Sequence, residues 1–305
     1  MRTRLVFVTA RLAILGAILP ATGCSRAGPE GASAPESGLP QRIVSLSPSI
    51  TETLFALGLG DRVIGVTRHC RYPREAQERT IVGGHFDLSF EAIVALEPDL
   101  VILRGENRQA ASFLEGRGAS VLAVDHRSAE GVLDSIGAIG LRCGAEARAK
   151  QMVSEIRAQM DQVARKTAGL NRPKVLVVAQ RALGSGRIED VYIAGSDSFF
   201  DRLIRLAGGE NACPKGRPGF PVVSAEGIVS MNPHVIVDLI ARERQAGLSR
   251  ETMLRDWQQL DEVEAVRTGR VHRIDDDYAF IPGPRLALMV RKLARLIHPE
   301  LDWPP

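Results

Sequence analysis

Ser89-Phe-Glu-Ala-Ile-Val-Ala-Leu-Glu-Pro-Asp-Leu-Val-Ile102 and Ser224-Ala-Glu-Gly-Ile-Val-Ser-Met-Asn-Pro-His-Val-Ile-Val237 are two copies of one pattern. Five of the fourteen positions are identical, and four more pair aliphatic with aliphatic or Leu with Met. Each copy encodes the same object. Ser89 or Ser224 caps a helix, and Glu91 or Glu226 favours its positive end. Pro98 or Pro233 stops that helix, and a buried strand begins. A second echo lies upstream, where Leu54, Leu57 and Gly60 match Leu203, Leu206 and Gly209. Two matches in the same order predict two similar lobes.

Around these copies, short apolar runs alternate with helical patterns, as in α/β units with mainly parallel sheets flanked by helices. Strands are expected at 42–46, 63–67, 100–103, 121–124, 174–180, 235–239 and 271–274. Ser49-Ile-Thr-Glu52 reads as a capping box that opens a helix ending near Gly58. A further amphipathic segment closes over 134–139. From Ala145 to Thr167 there is no Gly or Pro, and Met152, Val153, Ile156, Met160 and Val163 recur at helical spacing. Such a helix is about 35 Å long. It is either a strut between lobes or one long surface helix.

The chain has 305 residues, 45% of them apolar, enough for about two domains or lobes. Its 39 basic and 36 acidic residues leave a formal +3, which excludes the strong basic excess of a nucleic-acid binder. That excess sits at the N-terminus. Arg2, Arg4 and Arg11 accompany an apolar run, and Ala21-Thr-Gly23 then leads to Cys24. Residues 1–23 read as a secretory signal peptide, without which the body is formally neutral. Residues 24–40 read as a flexible tether. Twelve of the sixteen residues from Ser25 to Pro40 are Gly, Ala, Ser or Pro, giving a mean reach of about 20–24 Å. The expected body divides into an N-terminal lobe at 41–141, a connecting helix at 142–169 and a C-terminal lobe at 170–305.

Arg42-Ile-Val-Ser-Leu-Ser-Pro-Ser-Ile-Thr-Glu52, Leu57-Gly-Leu-Gly60, Tyr72-Pro73, 91–102, Gly208-Gly-Glu-Asn211, Glu226 and Pro282-Gly-Pro-Arg285 resemble the periplasmic binding proteins that serve ABC importers of iron chelates and vitamin B12. The resemblance runs from about Arg42 to Pro299. It implies two α/β lobes joined by one long rigid helix, with the ligand cleft between them. It implies a binding protein, not an enzyme, that delivers a corrinoid such as cobalamin, a ferric siderophore or haem to an ABC permease with its ATPase subunits. The small residues before Cys24 resemble a lipobox, which implies lipidation of Cys24 and a lipid-anchored monomer outside a bacterial membrane. Without lipidation the segment is an ordinary cleaved signal. Glu91 and Glu226 match the surface glutamates that dock onto arginines of the permease in the cobalamin-binding branch. They can equally serve only their helix dipoles.

In open α/β sheets ligands bind beyond the carboxyl ends of strands. The candidates there are Tyr72, His85, Arg104, Arg181, Arg187, Arg242, Arg244, Tyr278 and Phe280. Arginines suit an anionic chelate or the phosphate and amides of a corrinoid, and the rings suit a macrocycle face. His85 stands near where the B12-binding relatives often carry tryptophan, and Arg104 replaces another cleft aromatic. That arginine-rich, aromatic-poor mouth tilts towards an anionic iron chelate, whereas Cys70-Arg-Tyr-Pro73 is similar to corrinoid binders. The ligand stays open between them. Six scattered histidines argue against a binder of bare Zn²⁺ or Mn²⁺. A tethered sensor would use the same lobes. Hydrolase and nucleotide motifs are absent from the sequence. Asp275-Asp-Asp277 is a cation cluster or a solvated turn. Cys70, Cys143 and Cys213 form no CxxC, and their odd number leaves at least one outside an intramolecular pair.

Overall fold

The structure is a computed structural model and describes residues 38–85, 87–240 and 249–303. The expected signal peptide, Cys24 and most of the tether lie outside the described residues, as do Arg242 and Arg244.

The N-terminal half holds β1 (Ile43–Ser45), α1 (Pro48–Ala56), β2 (Val63–Val66), β3 (Thr80–Ile81), α2 (Phe90–Ala95), β4 (Leu100–Arg104), α3 (Arg108–Glu115), β5 (Val121–Val124) and α4 (Ala129–Cys143). Its five strands form one parallel sheet in the order β3-β2-β1-β4-β5. The helix α5 (Glu146–Lys166) follows, 21 residues long. The C-terminal half holds β6 (Lys174–Gln180), β7 (Val191–Ile193), α6 (Phe199–Leu206), β8 (Glu210–Asn211), β9 (Val222–Val223), α7 (Ala225–Met231), β10 (Val235–Leu239), α8 (Arg250–Arg255), α9 (Glu264–Arg267), β11 (Val271–Ile274) and α10 (Leu286–Ile297). Its sheet runs β11-β10-β6-β7-β9, with β8 also on β6. β10, β11, β6 and β8 pair in parallel, whereas β7 pairs antiparallel with both β6 and β9.

The repeat is visible in hydrogen bonds. Ser89 Oγ accepts from the Ala92 amide at 3.2 Å, and Ser224 Oγ from the Gly227 amide at 3.3 Å. Both copies leave their helix through a left-handed residue, Glu97 (φ 45°) and Asn232 (φ 39°). Two positions further on, each copy anchors its lobe's first strand. Asp99 accepts from the amides of Gln41 and Arg42, while His234 Nδ1 accepts from that of Lys174 at 2.9 Å. Asp99 and His234 thus differ in chemistry but share a role. The upstream echo is offset by one residue, because the left-handed glycines after α1 and α6 are Gly58 and Gly208.

α5 packs on α4 of the first lobe and on α6 and α10 of the second, so it is the strut. Its buried stripe is Ala149, Met152, Ile156, Met160 and Val163. Gly140 lets α4 approach it closely, since a Cβ there would stand 2.3 Å from that of Ala149. One apolar cluster continues from Ile43 and Ile50 through this stripe to Leu203, Val290 and Leu293.

The capping box is corrected. α1 begins two residues earlier, with Ser47 as N-cap and Pro48 at the first helical position. Glu52 lies in the helix interior. Its carboxylate is buried and receives Arg285 Nε at 2.9 Å and Nη2 at 2.6 Å. Cys70, Cys143 and Cys213 are all buried free thiols.

Candidate functional site

A cavity of about 410 Å³ opens between the carboxyl ends of the strands of the two lobes. The first lobe contributes Arg104 from the end of β4, and His126 and Arg127 from the turn after β5. The second contributes Ala179 from β6, Leu239 from β10, the segment 197–200, Gly219-Phe220, and Ala279, Phe280 and Pro282.

The two walls differ. Phe199 meets Phe200 edge-on at 5.5 Å between centroids, and Phe200 meets Phe220 at 6.3 Å. With Phe280 they make the C-terminal wall aromatic. The expectation of an aromatic-poor mouth is therefore corrected. Phe199 and Phe200 read in sequence as core positions of an amphipathic helix, and Phe220 lies among turn residues; only their common destination shows their use.

The opposite wall is polar, with its charge already compensated. Arg104 pairs with Glu106 at 2.5 Å, although its buried Nε has no hydrogen-bond partner among the described residues. Arg127 grips both oxygens of Asp125 and holds that carboxyl down at about 2. Between them His126 is only 3% exposed. Burial, with Arg104 adding to it and Asp125 opposing, pushes its pKa down to about 4. Its ring is therefore neutral at ordinary pH. Nδ1 lies 2.8 Å from Ser49 Oγ, which in turn lies 3.0 Å from Ser47 Oγ. Ser45, Thr51, Thr67 and Cys70 extend this buried polar cluster beneath β1. Sequence reasoning missed His126. The available signal was its place directly after a strand, which it shares with many solvated loop residues.

Of the sequence candidates, Arg104 and Phe280 line the cavity. Tyr72 does not line it. Its half-exposed ring lies under Arg285, 4.1 Å from centroid to Cζ, and Tyr278 lies at 5.8 Å. Burial and the neighbouring Asp276 push Tyr278 up to about 12. His85 is exposed and outside the cavity, as is Arg187, which faces Glu189 at 3.6 Å. Arg181 is corrected most clearly. It is 3% exposed and bonds Asp238 at 2.8 Å and Asp256 at 2.7 Å. Asp256 also takes the amides of Gly184 and Gly186, so this network fastens the loop after β6. A guanidinium spent on two buried carboxylates serves the fold.

Glu91 and Glu226 are exposed in the first turns of α2 and α7, one per lobe. Neither carboxylate has an ion-pair partner among the described residues. Asp275, Asp276 and Asp277 are paired with Arg273, Lys292 and Arg285, which makes them a salt-bridged turn. Among the described residues no three His, Cys, Asp or Glu side chains cluster to hold a metal ion. No helix among them is long and apolar enough to cross a membrane.

Comparison with known proteins agrees with this architecture. The substrate-binding lipoprotein YvrC of Bacillus subtilis, an uncharacterized ABC transporter component, is 32% identical over 86% of this chain and 81% of its own. A cobalamin-binding protein of Halobacterium salinarum is 29% identical over 85% of this chain and 70% of its own. The solved structure of the periplasmic heme-binding protein RhuT from Roseiflexus sp. RS-1 superposes with a TM-score of 0.71 at 25% identity, covering 85% of this chain and 98% of its own. A periplasmic binding protein family model matches residues 43–278. With its two α/β lobes, its bridging helix and a cavity between facing strand ends, the chain belongs to the periplasmic binding protein family.

Proposed function

We propose that this chain captures a metal chelate in the interlobe cavity and delivers it to the permease of an ABC importer. The carrying observation is the cavity itself, which sets an aromatic wall from one lobe against an imidazole and two arginines from the other. The ABC-transporter, cobalamin and heme descriptions of the relatives support that cargo class. Cobalamin or another corrinoid, haem and ferric siderophores are the candidates. Arg104 and Phe280 contact the cargo, together with His126 and the phenylalanine wall. Glu91 and Glu226 dock the loaded protein on the permease, each offering a carboxylate at an equivalent helix start. Cys24 carries the lipid that keeps the protein at the outer side of the membrane.

Thermal unfolding with cobalamin, cobinamide, haem and several ferric siderophores tests this reading. A cargo at 100 times its dissociation constant adds about 2.7 kcal/mol of stability. Failure of every chelate to raise the midpoint would overturn it.

A further inference from the structure

His126 has one hydrogen-bond partner among the described residues. Its ring lines the cavity and is 3% exposed, and Ser49 Oγ holds Nδ1 at 2.8 Å. Nε2 has no partner among the described residues. That nitrogen opens onto the cavity, within reach of whatever enters it. When Nδ1–H donates to Ser49 Oγ, Ser49 can donate onward to Ser47, 3.0 Å away. Nε2 then keeps its lone pair. A neutral imidazole, oriented by a hydrogen bond on its other nitrogen, is the usual form of a metal-binding histidine.

We infer that His126 Nε2 binds the metal of the cargo from the axial side, so that the cargo is a planar porphyrin- or corrin-type chelate with an open axial position. This rests on the reading that the cavity takes a metal chelate, and it selects among the chelates. A ferric siderophore that surrounds iron with six oxygens offers the imidazole no site. A flat macrocycle does, and it also presents a face to Phe200 and Phe220 of the other lobe. The arginines argue the same way, because Glu106 and Asp125 already compensate them. The wall is therefore poorly charged for a strongly anionic complex.

Absorption spectra of the full chain with ferric protoporphyrin, diaquacobinamide and a ferric tris-hydroxamate test the assignment, with equilibrium dialysis for affinity. At least one macrocycle should bind the wild type with the band shift of nitrogen ligation, and more tightly than the tris-hydroxamate. His126→Gly and His126→Gln should lose that shift and bind the macrocycle about tenfold or more weakly, since even outer partners of a metal ligand are worth ~10–100-fold. Free imidazole should restore the bands in His126→Gly. The glutamine variant keeps a polar side chain at the site, guarding against a glycine variant that fails to fold. Identical macrocycle spectra in wild type and His126→Gln would refute the inference while leaving chelate capture intact, as would a wild type that prefers the tris-hydroxamate. Failure of all three probes to bind the wild type would count against capture itself.

Discussion

Arg285 grips both carboxylate oxygens of Glu52, so a residue just before the last helix is tied to the first helix of the other lobe. The guanidinium also meets Asp277 at 2.8 Å and lies 4.1 Å from the Tyr72 ring centroid and 5.8 Å from that of Tyr278. Burial pushes the Glu52 carboxyl above its ordinary value, and Arg285 opposes the shift. Burial works against the charge on Arg285 too, but its bonds to Glu52 and Asp277 hold it charged. The lobes thus share a second cross-link besides α5.

Arg285→Met leaves Glu52 buried with no cation. It should lower unfolding stability by about 3–5 kcal/mol in urea titrations. Asp277→Asn removes the exposed partner and should cost less than about 1 kcal/mol. Equal losses from both variants would show that the buried pair is not the dominant contact.

The strut and this cross-link together leave little freedom for hinge motion. The radius of gyration, measured by small-angle scattering, should change by less than about 1 Å when a bound chelate saturates the protein. A larger contraction would mean that both links yield on binding.

Phe220 separates binding from folding, because it lines the cavity yet is 48% exposed. Phe220→Ala should change stability by no more than about 0.5 kcal/mol. The same change should weaken chelate binding by roughly 3–10-fold, the worth of one aromatic contact. Phe200→Ala, at a buried position, should instead cost about 3–5 kcal/mol of stability.

Both lobes and the strut were legible because their signals are local. A serine cap, an apolar period and a proline stop act within a few residues, and the repeat doubled them. What escaped depends on partners far along the chain. Glu52 matched a capping box over three residues, but its partner is 233 residues away. Arg181 followed a strand as a cleft residue would, but Asp238 and Asp256, 57 and 75 residues on, claim it. Phe199, Phe200 and Phe220 have the periodicity or setting of ordinary apolar residues. Their shared wall exists only once α6 and the loop before β9 meet.

His126 also predicts a pH dependence. Its native pKa of about 4 lies below the unfolded value of about 6.5. As pH falls through that window the unfolded chain takes up a proton that the native site refuses, so stability declines. The contribution is absent above about pH 6.5 and reaches a loss of roughly 3 kcal/mol below about pH 4. His126→Phe should remove this slope, judged as the difference from wild type in denaturant midpoints across the window. Parallel curves for the two proteins would mean that the native ring takes up its proton as readily as the unfolded one. Asp125, held down by Arg127, loses its own contribution only at lower pH and should not mask the difference.

Glu91 and Glu226 occupy matched first turns, so their favourable dipole interactions are worth only about 0.3–1 kcal/mol each. Reversing both to Lys should therefore leave a folded protein. The cavity residues are untouched, so chelate affinity should stay within about twofold, less than ~0.5 kcal/mol. Transport, or capture by permease in detergent, should fail, because two charge-assisted contacts become repulsive. Each single reversal should weaken docking less than the pair does, since the other lobe still engages. If the double variant transports normally, the two carboxylates serve only their own helices, and the permease grips another face.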